Sequence, residues 1–370
     1  MDENNFLEES LSALVLSRLP GLTQSQALEA MRHYGSAAAA LHDKGKESRG
    51  WAKVMANEEN FRHSLAWAGK EMDFCMSNSV RVIPISSPDY PHLLADCPDA
   101  PAVIFYKGSA KTERLESISI VGTRRITDYG KRMVEELVEG LAEFCPNLLI
   151  VSGLAYGVDI FSHRAALKHG LDTIGVLAHG LDRIYPSMHE RTAGEMVRQG
   201  GLLTEYSTGT NPDRGNFVRR NRIIAGLSAA TLVVESAEKG GALITARLAA
   251  SYNREVMAVP GRATDEFSKG CNNLIYRNEA HLVASAEDVA KLMNWDCPKV
   301  HKAEPSLFKE ELLSNEERQI VSALRGCEGL TQNQICEKTG LAAAKVMSAL
   351  FDLEMEGLTV KLSGNKYALK

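Results

Sequence analysis

The stretch that decides the fold reads Ser-Ile-Ser-Ile-Val-Gly-Thr-Arg-Arg over residues 117–125. Its first five residues are rich in isoleucine and valine, a glycine follows, and an amphipathic run extends from Tyr129 to Phe144. A short buried strand, a glycine turn and a helix of this length form the repeating unit of parallel sheets. The stretch therefore predicts a strand-turn-helix unit within a Rossmann-like domain.

The same alternation continues along the chain. Further strands are predicted at 148–152, 173–177, 201–204, 231–235, 255–259 and 281–284, and further helices at 156–168, 191–199, 217–226, 242–252 and 270–278. This order predicts right-handed crossovers and an extended, doubly wound, mostly parallel sheet, with the loops after the strands along one edge. We expect an α/β domain over 80–293, in which 80–110 is a proline-rich segment with one edge strand at 103–106.

Two smaller modules flank this domain. Residues 1–75 predict a helical domain of SAM or helix-hairpin-helix type, in which Thr23 caps a helix over 24–33. After a linker at 294–310, residues 311–370 predict three helices and two strands, the pattern of a winged helix. This last module has seven basic and eight acidic residues. Because phosphate neutralisation needs basic side chains, we expect it to have a protein-contact or regulatory role rather than to read duplex DNA.

Composition excludes several classes of protein. The 370 residues carry a formal net charge of −5, so attraction to a polyanion requires a local concentration of positive charge. The seven cysteines form no Cys-x-x-Cys pair, which argues against a disulfide framework or a structural zinc site. The acidic N-terminus does not resemble a signal peptide, and no apolar run approaches the roughly 20 residues that span a bilayer. We therefore expect a cytoplasmic protein without a membrane partner.

The stretch 217–227, Phe-Val-Arg-Arg-Asn-Arg-Ile-Ile-Ala-Gly-Leu, concentrates the positive charge. We expect its helix to present Arg219, Arg220 and Arg222 near its start and to bury its later turns. Arginine matches phosphate oxygens with a planar fork of donors, and helix N-termini attract anions. A surface arginine cluster that only anchors a core helix is the common alternative for one such run.

The strand-end loops favour the functional interpretation. They combine glycines, small hydroxyls and arginines: Gly122, Thr123, Arg124 and Arg125 after the first strand, Ser152 and Gly153 after the second, and Gly240 and Gly241 after the fifth. Such an edge suits a phosphate-bearing ligand. The loops contain neither Gly-x-Gly-x-x-Gly nor a Walker A sequence, so we expect no dinucleotide cofactor and no ATP hydrolysis by that route.

Catalysis and metal binding have little support in the sequence. Asp159 and Glu235 could act as acid or base, but Asp159 could equally satisfy helix N-terminal donors, and Glu235 could hold an arginine of the site. Four histidines lie close in sequence without the spacing of a shared metal site: His163, His169, His179 and His189. We therefore expect no cofactor and no metal, and the residues themselves give catalysis little support.

The central domain resembles the DprA/Smf family of DNA-processing proteins of bacterial transformation. The motifs that match, in family order, are Gly122-Thr123-Arg124, 152–159, 220–228, Val234-Glu235 with 240–246, and Val259-Pro260-Gly261 with 270–275. The resemblance implies a non-enzymatic protein that binds single-stranded DNA, loads the RecA recombinase onto it and forms a homodimer through the Rossmann-like domain.

The resemblance also implies a DNA pocket. Matched residue by residue, it comprises Gly122, Thr123, Arg124, Ser152, Gly153, Asn221, Arg222 and Gly240. Family members often place a lysine just after the Tyr-Pro of the third loop, whereas the stretch from Tyr185 to His189 has none, so Arg125, Arg219 and Arg220 are the candidates to replace it. Together with Gly241, these residues form the predicted DNA site. The aromatic residues expected near it are Tyr156, Tyr185 and Phe217.

Two alternatives remain open at this point. Rossmann-like phosphoribohydrolases carry Pro-Gly-Gly-x-Gly-Thr-x-x-Glu in the fifth loop, whereas this chain has Glu-Lys-Gly-Gly-Ala-Leu-Ile-Thr over 238–245, without that first proline and terminal glutamate. A transcription regulator would read DNA through the winged helix, but the predicted recognition helix holds one lysine and three acids.

Overall fold

The computed structural model describes residues 3–43, 54, 57–295, 313–325, 329–355, 358–362 and 366–369. The chain divides into two units, Met1–Val300 and His301–Lys370, and each is described by itself. Most of the predicted linker, 294–310, lies outside the described residues. The predicted domain boundaries stay predictions.

Within the described part of the first unit, nine strands form one sheet. They are β1 Arg81–Pro84, β2 Val103–Gly108, β3 Ser117–Val121, β4 Leu149–Ser152, β5 Asp172–Val176, β6 Gly200–Thr204, β7 Ala230–Val233, β8 Glu255–Ala258 and β9 His281–Leu282. Their order is β1-β2-β6-β5-β4-β3-β7-β8-β9. The seven neighbouring strands β6, β5, β4, β3, β7, β8 and β9 are parallel, and β2 runs antiparallel to both β1 and β6. The predicted mostly parallel, doubly wound sheet is therefore confirmed.

Helices cover both faces of this sheet. Those of the Rossmann-like region are α5 His92–Ala95, α6 Asp128–Phe144, α7 Val158–Lys168, α8 Glu190–Gln199, α9 Arg214–Gly226, α10 Ala242–Ser251, α11 Lys269–Tyr276 and α12 Ala286–Leu292. Successive strand residues point to opposite faces, so Ile118 and Ile120 join the core under α6 and α7, whereas Val121 joins the core under α9 and α10. Alternate residues of a strand thus contribute to two hydrophobic cores, one on each face of the sheet.

The proline-rich segment differs from its prediction. It holds two strands, because β1 pairs antiparallel with the expected strand β2 and extends the sheet by one more position. Pro84 is the last residue of β1, on the outer strand of the sheet, where a missing N–H breaks no interior ladder.

The N-terminal helices pack on this extended edge. They are α1 Glu3–Arg18, α2 Gln24–Tyr34, α3 Ala37–Asp43 and α4 Glu58–Ser77. Thr23 caps α2 through a capping box with Gln26, which confirms the predicted cap. Leu14 and Leu19 share one hydrophobic cluster with Val82 and Phe105 of β1 and β2. The helical region and the sheet thus belong to one packed unit.

The second unit has the predicted winged-helix pattern. Its elements are α13 Asn315–Leu324, β10 Leu330–Thr331, α14 Gln332–Thr339, α15 Ala343–Met355, β11 Thr359–Leu362 and β12 Lys366–Leu369. Gly340 ends α14 in the left-handed conformation, with a φ of 69°, so the chain can turn between α14 and α15. The three short strands form a sheet in the order β10-β12-β11.

In the part of the chain that the structure describes, no helix has both the length and the apolar character to cross a membrane.

Candidate functional site

A groove opens where the strand order of the large sheet reverses. The chain builds β3 to β6 in one direction and then returns through α9 to place β7 beside β3. Ligands of doubly wound sheets bind outside the carboxyl ends of the strands at such a switch point. The groove has a volume of about 630 Å³ and is lined by the loops after β3, β4 and β7 and by α9, including Gly122, Thr123, Arg124, Asp159, Arg214, Phe217, Arg220, Asn221, Lys239, Gly240 and Gly241.

The loop after β3 is held by its neighbours and directs Arg124 outward. Thr123 donates its N–H to the Glu235 carbonyl at 2.7 Å, and its own carbonyl accepts from Val158 N–H at 3.1 Å. A Cβ on Gly122 would lie 2.4 Å from a Val158 methyl, so this glycine is needed for packing between β3 and α7. Arg124 is exposed, and its guanidinium carbon lies 5.2 Å from the centre of the Phe217 ring.

The helix α9 divides the predicted arginine cluster between its two faces. A helix turns about 100° per residue, so side chains three or four positions apart share a face and adjacent ones do not. Phe217, Arg220 and Asn221 face the groove. Arg219 and Arg222 line a second pocket on the other face of α9, which we call the rear pocket.

Arg220 and Arg222 are buried, in contrast to the expectation that this helix presents its arginines. Arg220 is 3% exposed and donates to the carbonyls of Gly153, at 2.6 Å, and Val176. Arg222 is 9% exposed and forms an ion pair with Glu205. Arg220 and Arg222 are buried despite their charge because the later turns of α9 pack into the core and carry these side chains with them. Only Arg219 of the three is exposed.

Arg220 and Asp159 form a buried pair of opposite charges beneath the groove. Burial lowers the pKa of Arg220 to about 10, so the guanidinium remains charged at neutral pH, and Asp159 opposes that shift. Burial raises the pKa of Asp159, whose carboxylate accepts the N–H groups of Gly153 and Ala155 at 3.1 and 3.3 Å. A Cβ on Gly153 would lie 2.6 Å from both Arg220 Nη atoms and from Asp159 Oδ2. The conformation of the second loop thus depends on this pair.

The remaining predicted site residues lie elsewhere. Ser152 is fully buried and donates its hydroxyl to the Ile120 carbonyl at 2.6 Å. Arg125 is exposed but points away from the groove, 3.9 Å from Glu266 and 5.3 Å from the centre of the Phe267 ring. The structure therefore assembles Gly122, Thr123, Arg124, Arg220, Asn221, Gly240 and Gly241 in one groove and leaves Arg125, Ser152, Gly153, Arg219 and Arg222 outside its lining.

Two cations of the groove are absent from the site predicted from the sequence. Arg214 and Lys239 both line it, and both are exposed. Arg214 is the first residue of α9, which begins three residues earlier than predicted. The signal was available, because Arg214, Phe217 and Asn221 are spaced by three and four residues, as on one helical face.

The loop that leads into α9 is tied to the N-terminal helices. Glu71 of α4 is 3% exposed, and its carboxylate accepts both the N–H of Thr208, at 2.8 Å, and the Thr208 hydroxyl, at 2.6 Å. The same loop continues through Pro212 to Arg214, both of which line the groove. Glu71 thus positions one wall of the groove from outside it.

Exposed aromatic rings lie beside the groove. The rings of Tyr185 and Phe217 are 5.9 Å apart, and Tyr156 packs edge-on against His189 at 5.2 Å. Tyr185 is 46% exposed and Tyr156 is 42% exposed, so both present ring surface to solvent.

The candidate acid-base and metal residues have structural partners. Both oxygens of the Glu235 carboxylate accept from Thr127, through its N–H at 2.9 Å and its hydroxyl, so Glu235 holds the start of α6 rather than an arginine. His163 is fully buried, and burial lowers its pKa to about 3. Among the described residues, no group of three or more His, Cys, Asp or Glu is arranged to hold a metal ion.

Comparison with known proteins gives the family. The family model described as DNA recombination-mediator protein A matches residues 81–294, and the model of the DprA winged helix domain matches residues 303–365. Protein Smf of Synechocystis sp. is 35% identical over 312 residues, which cover 76% of this chain and 78% of that protein.

Two solved structures share the fold. The X-ray structure of DprA from Streptococcus pneumoniae is 30% identical with a TM-score of 0.63, covering 76% of this chain and 97% of that one. DNA processing protein A from Helicobacter pylori, solved to describe its single-stranded DNA binding mode, is 28% identical with a TM-score of 0.53, covering 59% and 97%. Since the family match spans more than half of the sequence and contains the whole groove, the chain belongs to the DNA recombination-mediator protein A family, that of the DprA and Smf proteins.

Proposed function

We propose that the groove binds single-stranded DNA and that this binding serves DNA processing during transformation. One observation carries the proposal: three exposed cations, Arg124, Arg214 and Lys239, surround the groove. None of the three has an ion-pair partner among the described residues. The carboxylate in the lining, Asp159, is buried and already accepts two backbone N–H groups. In a chain with a net charge of −5, such a concentration of unneutralised positive charge suits a phosphate backbone.

The N-terminus of α10 adds to this site. Gly240 and Gly241 precede α10 in the groove lining. The N–H groups of Leu243 and Ile244 donate to the carbonyls of Gly240 and Gly241, whereas those of Gly241 and Ala242 have no backbone acceptor among the described residues. These groups and the helix dipole favour a phosphate at this position. A Cβ on Gly241 would meet no atom within 4 Å, so the backbone here is open to a ligand.

The shape of the groove supports single strands over duplex. Its volume of about 630 Å³ suits a few nucleotides rather than the broad face of a duplex. A flexible single strand can bend its phosphates toward Arg124 and Arg214 and stack bases on aromatic rings. Phe217 in the groove and Tyr185 beside it offer such rings. The relative from Helicobacter pylori, described by its single-stranded DNA binding mode, supports the same ligand class.

We extend the proposal to partners, on the strength of family membership. The chain loads RecA onto the bound strand in the cytoplasm and acts as a homodimer through the Rossmann-like domain. Tyr276 and Leu282, which are 86% and 53% exposed near the β9 edge, are candidates for the dimer surface. Light scattering after size exclusion tests this: a dimer that Tyr276→Glu and Leu282→Glu leave intact would exclude this surface.

We propose a binding function without catalysis, against the alternative of a nucleotide-processing enzyme. The partners of Glu235 and Asp159 support this, because both carboxylates are committed to holding loops. Incubation with nucleoside monophosphates, followed by chromatography for released base, tests the alternative. Release that depends on Glu235 would establish it.

The experiment that tests the main proposal is anisotropy of a labelled single-stranded oligonucleotide. We expect binding that duplex competes for poorly and that the triple variant Arg124→Ala, Arg214→Ala, Lys239→Ala abolishes. The three side chains are exposed, so the variant should keep its fold, which circular dichroism checks. Unchanged binding by the folded variant would exclude the groove as the DNA site.

A further inference from the structure

The rear pocket lies on the face of α9 opposite to the groove. It has a volume of about 560 Å³ and lies between the helices α1, α2 and α4, the segment 99–105 and the loop after β6. This volume is within the range of small-molecule sites. Arg219 and Arg222, spaced by one helical turn, point into it from α9.

A buried ion pair with spare hydrogen-bonding atoms lines this pocket. The side chains of Arg222 and Glu205 are only 10% and 3% exposed, and they pair through Nη2 and Oε2. Arg222 Nη1 and Glu205 Oε1 are buried and have no hydrogen-bond partner within the described structure. A buried donor or acceptor without a partner is costly, so such atoms call for a partner. One donor and one acceptor on the same ion pair match the edge of a nucleobase, which also offers both.

Two exposed arginines and a tryptophan complete the pocket. Arg18 and Arg219 are exposed, and neither has an ion-pair partner in the described ranges. The Arg18 guanidinium carbon lies 5.2 Å from the centre of the Trp67 ring. The other lining carboxylate, Asp99, accepts the Tyr252 hydroxyl at 2.7 Å. The pocket therefore combines positive charge at Arg18 and Arg219 with an aromatic ring and a hydrogen-bonding pair.

We propose that the rear pocket is a nucleotide site, separate from the groove. Arg18 and Arg219 bind the phosphate, Trp67 contacts the base, and Arg222 with Glu205 provides the donor and the acceptor for its edge. The nucleotide is either a free mononucleotide or one unit of a DNA strand, since both offer the same chemistry. The proposal stands whether or not the groove binds DNA.

Calorimetric titration of the full chain with the four deoxynucleoside 5′-monophosphates tests the proposal. We expect at least one of them to bind with a Kd below about 1 mM and more tightly than its nucleoside or inorganic phosphate. Arg219→Ala should weaken this binding about tenfold, as expected for the loss of one charge-assisted hydrogen bond. Arg191→Ala removes the same charge from a side chain that is 92% exposed on α8, and it should have no effect.

Two results would overturn the proposal. One is the absence of binding to all four nucleotides. The other is binding that Arg124→Ala in the groove abolishes and that Arg18→Ala and Arg219→Ala leave unchanged, since the nucleotide would then occupy the groove. Binding of the labelled oligonucleotide shows whether the nucleotide in the rear pocket is free or belongs to a DNA strand. If Arg219→Ala weakens oligonucleotide and nucleotide binding alike, the pocket holds part of a strand; if only nucleotide binding weakens, it holds a free nucleotide.

Discussion

Two adjacent arginines allow a direct test of the groove. Arg124 lines the groove, whereas its neighbour Arg125 points toward Glu266 and Phe267. Both are exposed and both carry one positive charge, so replacing either by alanine changes the net charge equally. We expect Arg124→Ala to lose one phosphate contact and Arg125→Ala to lose none.

The expected magnitude follows from counterion release. Each phosphate contact with a single strand contributes about −0.7 to the slope of log K against log salt. Three contacts, by Arg124, Arg214 and Lys239, give a slope of about −2.1, and Arg124→Ala should reduce it to about −1.4. A fourfold rise in salt should therefore weaken wild-type binding about 18-fold and the Arg124→Ala variant only about sevenfold.

The assay is anisotropy of a labelled single-stranded oligonucleotide over a salt series, with wild type, Arg124→Ala and Arg125→Ala in parallel. The two slopes of wild type and Arg125→Ala should coincide. If Arg125→Ala flattens the slope and Arg124→Ala does not, the DNA path runs over the Phe267 side and the groove assignment is refuted. If both variants flatten it equally, the strand contacts both surfaces and the groove alone does not define the site.

Three further predictions concern how the structure holds the site. Glu71→Ala should lower both the free energy of unfolding and the DNA affinity, because it releases the loop that carries Pro212. The control Glu9→Ala removes a similarly buried carboxylate, which accepts the N–H groups of Ala37 and Ala38, and it should lower the free energy of unfolding alone. Urea unfolding and anisotropy of both variants check this. Gly153→Ala should reduce the free energy of unfolding by about 3 kcal/mol, since its Cβ displaces the buried Arg220 and Asp159. Gly194→Ala, within α8, should instead raise the free energy of unfolding by about 0.5–1 kcal/mol, because its added Cβ meets no atom within 4 Å. Equal urea midpoints for the two variants would contradict this. His163 has a pKa of about 3 in the folded chain and about 6.5 in the unfolded chain, so the unfolded chain takes up the proton first as the pH falls. The free energy of unfolding should therefore fall by about 2 kcal/mol between pH 7 and pH 5. His163→Asn should remove this part of the pH dependence, and an unchanged pH profile of unfolding would contradict the assignment.

Several features of the site were predictable and others were not. The strands, the helices and the sheet edge with its glycine loops follow from the alternation of short apolar runs and amphipathic stretches. The place of Arg124 in the groove lining follows from its position in the loop after β3. The roles of Ser152 and Gly153 differ from the prediction because small residues after a strand serve close packing as well as ligand approach. Here Ser152 bonds the neighbouring strand, and Gly153 makes room for Arg220 and Asp159.

The sequence by itself determined the fold class, the family and the edge of the sheet at which we propose that DNA binds, because hydrophobic periodicity and loop motifs are local properties. Only the tertiary structure decided which arginines are available. Arg219, Arg220 and Arg222 lie within four residues of one another, yet one is exposed, one supports the second loop and one pairs with Glu205. The physical reason is that the helical turn separates their directions by about 100° per residue and that the surfaces packed against α9 come from distant parts of the chain. Burial and partners of a charge are set by those surfaces, and they become known when the chain is folded.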